Sequence, residues 1–297
     1  MKIKMIGLGK MGLNLALNMK DHNVEVEGFD VSEEAREKAS QSGLTAYDKL
    51  EDIVKSDERN ILWVMLPAGK ITNLVLAQLT ELCHENDVVI DGGNSDHRDS
   101  LKTAKRMEEK NIYFFDIGTS GGVYGARHGA SFMCGGDPKV FEELKPVLES
   151  IATTNGCLYT GKTGSGHYLK MIHNAMLYGM MQTLGEGFEL LYASEFDYDM
   201  EEVADSLSKS SVIRGWLLEL TANAFRKNPD LSGIQGVIGA SKTTNWTIES
   251  ACEMGVPIPV ISLSLMMRLR SKQQESFSAK LIASLRDEVG GHKAPTK

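Results

Sequence analysis

Within KMIHNAMLYG, residues 170–179, helical spacing sets Lys170, His173, Asn174 and Leu177 on one face. An amine, an imidazole and a carboxamide in that row are groups that take up, pass on or orient protons. The leucine that continues the face can do none of this. Lys170 on its own reads better as a surface lysine with its stem laid along apolar neighbours. The rest of the chain must decide what these groups meet.

A second cluster opens the chain. GLGKMG, Gly7 to Gly12, matches G-x-G-x-x-G, follows the strand-like run KIKMIGLG and opens the helix-like run MGLNLALNMK. Gly7 permits a tight turn, Gly9 lets the backbone approach a pyrophosphate, and Gly12 lets helix and strand pack closely. The helix start offers free N–H groups to the phosphates. Asp30, at the end of the second strand-like run VEVEGFD, stands where a carboxylate would accept hydrogen bonds from ribose hydroxyls and repel a 2′-phosphate, and no arginine follows until Arg36. The expected cofactor is NAD, with Gly7, Leu8, Gly9, Lys10, Met11, Gly12, Asp30, Met65, Leu66, Pro67 and Asn94 as candidate contacts. MLPAGK, DGGNS and DIGTSGG each leave a strand-like run on the same presumed side, and their glycines expose backbone N–H groups.

The elements that must carry these groups fall into two halves. Up to about residue 162, strand-like runs (also NILWVMLP, DVVIDGGN, IYFFDIGTSGG and GCLYTG) alternate with helical patterns; SEEAREKASQSG, with Ser32 as N-cap and Gly43 at its end, is one. Such alternation predicts an α/β fold, a Rossmann-type doubly wound, mostly parallel sheet with ligands beyond the carboxyl ends of its strands. From Ser165 the pattern is helical throughout: one long helix to about Ser194, then DMEEVADSLSKS, SVIRGWLLELTANAFRK, TTNWTIESACEMG and two more. The expected domains are a dinucleotide-binding domain over 1–162 and an all-α domain for substrate binding and oligomerisation over 163–297.

The 297 residues carry a net charge of −8 with scattered basic groups, which argues against nucleic acid or an anionic membrane as partner. No apolar run approaches the ~20 residues a bilayer span needs. The four cysteines, Cys83, Cys134, Cys157 and Cys252, form no metal-ligand spacing, so no metal is expected and reduced thiols of a cytoplasmic protein are.

Taken together, Gly7–Gly12, DIGTSGG and GKTGSGHYLKMIHN resemble the β-hydroxyacid dehydrogenase superfamily. Within it GGNSDHRDS, KMIHN, YGMMQ, NWT with GVPIPV, and the terminal GGH resemble the 6-phosphogluconate dehydrogenase family, and the length and Asp30 point to its short, NAD-preferring branch. The resemblance implies oxidative decarboxylation of a phosphorylated sugar acid, 6-phosphogluconate, in gluconate utilisation and the pentose phosphate pathway. Lys170 matches the family's base; it must start neutral, so its pKa must fall from ~10.4. His173, Asn174, Asn94, Ser120, Gly121 and Gly122 match substrate contacts, Tyr178, Arg268 and Thr243 match the holders of the phosphate, and His292 would reach a neighbouring subunit's site in a homodimer or homotetramer.

Two departures from the family pattern stand out. Ser241 occupies the place of a lysine, with Lys242 beside it, and Leu177 occupies that of the glutamate that protonates the product. Losing a positioned acid forfeits about 10²–10⁴-fold on its step, so water, His173 or Tyr178 would have to serve. Three readings follow: the decarboxylating enzyme with a relayed proton, an NAD-dependent dehydrogenase of another aldonate or β-hydroxyacid with slow or absent decarboxylation, and a non-catalytic dinucleotide-binding protein.

Overall fold

The structure is a computed structural model that describes residues 1–55, 58–291, 293 and 295. It comprises two compact units, Met1–His173 and Asn174–Lys297. The first runs β1 (Lys2–Ile6), α1 (Lys10–Asp21), β2 (Glu25–Phe29), α2 (Glu33–Gln41), β3 (Thr45–Tyr47), α3 (Leu50–Val54), β4 (Ile61–Val64), α4 (Lys70–Leu82), β5 (Val88–Asp91), α5 (His97–Glu108), β6 (Tyr113–Ser120), α6 (Gly122–His128), β7 (Ala130–Gly135), α7 (Pro138–Ser150) and β8 (Ala152–Gly161). The strand order is β3-β2-β1-β4-β5-β6-β7-β8, with every pair parallel except β6–β7.

This is the doubly wound sheet the alternation predicts. Strands β4 and β5 are buried at every residue, as expected where helices cover both faces. One core cluster joins the sheet to Leu15, Ala16 and Met19 of α1 and to Val140, Phe141, Leu144 and Leu148 of α7. The other joins it to Ile53 of α3, Leu76 and Leu79 of α4 and Met107 of α5. The strand order reverses between β1 and β4, so the crevice for a ligand opens beside the turn after β1. Ser32 caps α2 by accepting from the Ala35 N–H, and Gly43 follows that helix at φ +76°.

Two strands escape the sequence reading. β3 is only three residues long, and β7, ASFMCG, has no β-branched residue. The antiparallel pairing of β7 follows from its connection: residues 121–129 are too few for a right-handed crossover, which needs about a dozen or more. Gly129, at φ +135°, turns the chain back instead.

Helix α8 (Ser165–Tyr192) starts in the first unit and leads into the second. The second unit continues with α9 (Met200–Ser210), α10 (Trp216–Lys227), α11 (Lys242–Met254), α12 (Pro259–Ser271) and α13 (Phe277–Gly290). Helix α10 begins at Trp216 rather than at the start of SVIRG, because Gly215 interrupts the run. Asp199 caps α9 and Gly255, at φ +68°, ends α11.

Within the first unit, the start of α8 lies against β6 and β7 almost backbone to backbone. A Cβ on Gly166 would collide with the carbonyls of Asp116 and Met133, and one on Gly118 would stand 2.5 Å from the Cβ of Lys170. Gly166→Ala is therefore expected to cost about 1–3 kcal/mol of stability and so to lower the denaturant midpoint. A midpoint unchanged from wild type would show that the helix can sit further out at no cost.

Candidate active site

Asp116 fixes the helix that carries Lys170. It is fully buried in β6, its Oδ1 accepts from the Gly164 N–H at 2.6 Å and its Oδ2 from the His167 N–H at 2.7 Å. The carboxylate thus accepts from two N–H groups at the head of α8, one just before the helix and one an orphan donor of its first turn. Burial pushes the Asp116 carboxyl up, while the two backbone donors pull against that shift. His167 is buried as well, its Nδ1 2.8 Å from Ser100 Oγ, and its Nε2 has no partner among the described residues.

With α8 seated this way, Lys170 is only 5% exposed. Burial lowers its pKa to about 8, and no charged neighbour contributes to the shift. Its Nζ stands 3.3 Å from His173 Nδ1. Asn174 follows one turn after Lys170 on the same helix and Leu177 a further turn along, half-buried.

At the ends of β5 and β6, Asn94 adopts φ +55° and spends its carboxamide on the backbone of Thr119. Oδ1 accepts from the Thr119 N–H at 3.0 Å, and Nδ2 donates to the Thr119 carbonyl at 3.2 Å. The residue expected to touch substrate and nicotinamide also clamps two strand ends together. Beside it, the hydroxyls of Ser95 and Thr119 are buried and unpaired among the described residues, polar atoms of the kind a ligand or water satisfies. Ser120 is half-buried, Gly121 takes φ +113° and Gly122 φ +61°, with open space where a Cβ on Gly122 would be.

The glycine turn fits a dinucleotide. Gly7 takes φ +101°; a Cβ on Gly12 would collide with the Gly7 carbonyl, and one on Gly9 would meet nothing within 4 Å. Among the described residues no side chain caps α1, and a helix start of this kind suits phosphate oxygens. Lys10 is exposed and Met11 half-buried at that helix start, while Met65 and Leu66 are half-buried and Pro67 exposed beyond β4. Leu8 is buried, and its N–H donates to Asp30 Oδ2 at 2.7 Å. The other carboxylate oxygen accepts from the Ser32 N–H at 2.8 Å. Asp30 is therefore held in place by the turn it serves.

The remaining expected site residues gather in the second unit. Arg268 is buried, with its guanidinium 3.5 Å above the Tyr178 ring, its Nη1 donating to the Gly239 carbonyl at 2.7 Å and its Nη2 3.6 Å from Met181 Sδ. No carboxylate pairs with it among the described residues. The Tyr178 hydroxyl donates to Ser241 Oγ at 3.0 Å and accepts from the Ser241 N–H at 2.8 Å, and Ser241 Oγ lies 2.5 Å from Thr243 Oγ1. Ser241, one of the two departures from the family pattern, thus anchors the tyrosine. His292 lies outside the described residues.

Sequence reasoning passed over Asp116, Gly118, Gly166 and His167. DIGTSGG and GKTGSGH were visible as glycine-rich loops, but nothing in them says that the aspartate of one caps the helix after the other.

A doubly wound sheet with a glycine turn, followed by helices that bring a buried lysine, defines the class of NAD(P)-binding dehydrogenases with an all-α second part. The chain matches the model of the NAD binding domain of 6-phosphogluconate dehydrogenase over residues 2–161 and that of the 6-phosphogluconate dehydrogenase C-terminal domain over 166–293. The chain belongs to the 6-phosphogluconate dehydrogenase family. It is 44% identical to YqeC of Bacillus subtilis (strain 168), whose 6-phosphogluconate dehydrogenase name is provisional, over the whole of both chains. It is 40% identical to the NAD(+)-dependent, decarboxylating 6-phosphogluconate dehydrogenase of Haloferax volcanii, covering all of this chain and 99% of that one. Among solved structures it is similar to Plasmodium falciparum 6-phosphogluconate dehydrogenase, studied with its cofactor NADP+ and its substrate 6-phosphogluconate. The TM-score is 0.83 at 28% identity, over 98% of this chain and 65% of that chain.

The sign of the Lys170 shift predicts a stability effect. Its folded-state pKa lies below the ordinary 10.5, at about 8. Between those values the unfolded chain holds a proton that the folded chain has released, so stability rises with pH across the window and the cost is full below about 8. Lys170→Met is expected to be more stable than wild type at pH 7, by as much as ~3 kcal/mol, with the gap closing towards pH 10.5. Equal stability of the two proteins at pH 7 would show the amine to be solvated.

Proposed function

We propose that the chain oxidises and decarboxylates 6-phosphogluconate, giving ribulose 5-phosphate and CO₂ and passing the hydride to NAD⁺. The observation that carries the reading is the dry Lys170, held neutral in part near physiological pH by burial alone. NAD⁺, when bound, accepts the hydride from C3. Lys170 takes the C3 hydroxyl proton as that hydride leaves, and the C3 ketone then stands β to the C1 carboxylate. The resulting ammonium donates to the ketone oxygen while the C1–C2 bond breaks, so the electron pair of that bond stays on C2 and forms the enediol as CO₂ leaves.

The enediol needs one proton on carbon. Leu177 cannot give it, and the Tyr178 hydroxyl is engaged on both sides by Ser241. His173, 3.3 Å from Lys170 Nζ, is the donor we assign. Asn174 orients substrate hydroxyls, as do Asn94 and the SGG turn at Ser120, Gly121 and Gly122 for the carboxylate end. Arg268, a buried guanidinium without a carboxylate partner, suits the phosphate, with Tyr178 and Thr243 beside it. Asp30, presenting a fixed carboxylate, supports NAD over NADP, in line with the Haloferax volcanii relative's NAD(+) dependence. A homodimer or homotetramer fits α13, which buries no side chain of its own and exposes Phe277, Leu281, Ile282 and Val289.

Leu177 favours one second reading, an NAD-dependent dehydrogenase of another aldonate in which the carboxylate is retained. Purified protein given 6-phosphogluconate and NAD⁺ should release NADH and CO₂ in equal amounts, and Lys170→Met should release neither while still binding NAD⁺. NADH without CO₂ would favour the second reading, and no NADH with intact cofactor binding would overturn the first.

A further inference from the structure

Arg36 lies six residues beyond Asp30, and in the sequence it looks remote from the ribose site. The structure folds it back. Helix α2 starts at Glu33, so Arg36 belongs to its first turn, and its Nη1 donates to the carbonyls of Asp30 at 2.9 Å and Val31 at 3.0 Å. A guanidinium therefore sits at the same strand end as the carboxylate that selects the cofactor.

The two charges do not neutralise each other. Asp30 spends its oxygens on the N–H groups of Leu8 and Ser32, and Arg36 spends only Nη1, on main-chain carbonyls. No Asp30–Arg36 ion pair exists among the described residues, and Nε and Nη2 of Arg36 have no partner among them. Glu34, in the same turn, is taken up by Lys38 at 2.6 Å. Half-buried and pinned by two carbonyls, Arg36 retains both its charge and a pair of unused donors. A fixed arginine of this kind suits phosphate oxygens, which it can meet with two parallel N–H groups.

We propose that Arg36 is a latent 2′-phosphate contact: discrimination against NADP⁺ rests on the Asp30 carboxylate alone, and removing that carboxylate uncovers an NADP⁺ site whose cation is already in place. This inference rests on the reading of the glycine turn and Asp30 as an NAD site. In the wild type, the carboxylate accepts from the ribose 2′-hydroxyl and repels a phosphate ester at that position. Without it the guanidinium, still held by the main-chain carbonyls of residues 30 and 31, faces a dianion.

Calorimetric titration of the full chain with NAD⁺, NADP⁺, 5′-AMP and adenosine 2′,5′-bisphosphate tests this without turnover. The wild type should bind NAD⁺ at least tenfold more tightly than NADP⁺. Asp30→Ala should bind NADP⁺ and the bisphosphate at least tenfold more tightly than wild type does, with an affinity that weakens as salt is raised. Asp30→Ala combined with Arg36→Ala should lose that gain, and with Arg36→Lys should keep part of it, since a lysine supplies charge without the fork. Arg36→Gln, which keeps a donor for the two carbonyls, replaces Arg36→Ala if the latter melts early. Equal NADP⁺ affinity with and without Arg36 in the Asp30→Ala background would overturn the proposal. A wild type that binds NADP⁺ as well as NAD⁺ would overturn the underlying NAD reading instead, a separate result seen before any variant is made.

Discussion

The close seat of α8 on β6 and β7 is the constraint from which the chemistry follows. Two glycines, Gly118 and Gly166, bring main chain against main chain, and the Asp116 carboxylate closes the contact by capping the helix. A buried carboxylate is costly unless its oxygens are bonded, and here both are. The same seat removes water from Lys170, so the feature that stabilises the helix start also lowers the basicity of the amine it carries. Structure and reactivity have one cause there, and a change that lifts the helix by a few tenths of an ångström would alter both.

The treatment of cations gives the chain its second theme. Its net charge is −8, yet among the described residues Lys170, Arg268 and Arg36 are not paired with carboxylates. Lys170 is isolated by burial, Arg268 is held by a carbonyl and a tyrosine ring, and Arg36 by two carbonyls. Carbonyl dipoles and π-faces fix a cation's position without cancelling its charge. A sugar acid with a phosphate at its far end, and a dinucleotide, are anionic ligands that such arrangements suit. Asp30, locked by two N–H groups, is the counterpart: an anion positioned by main chain.

Features set by neighbours in sequence were legible there. The glycine turn, the Ser32 cap and the long helix of Lys170 each depend on a few adjacent residues. Contacts between distant segments were not legible. Asp116 looked like the end of a strand, and its bond to the head of α8 spans 48 residues of chain. Ser241 looked like a loss, whereas its hydroxyl and N–H anchor Tyr178, 63 residues away. Arg36 looked distant because six residues separate it from Asp30, yet a long side chain in a first turn can reach back to the strand end before it. Strand β7 was hidden by a composition without β-branched residues, and the short connection that makes it antiparallel carries no signal in residue type.

The direct test is the ionisation of one amine. With ¹³C-labelled lysine, the Cε resonance of Lys170, assigned by its loss in Lys170→Met, can be followed against pH in the free protein. A midpoint near 8 is expected from burial alone. A midpoint near 10.5, the value of a solvated lysine, would contradict the claim that the seat of α8 makes this residue a base.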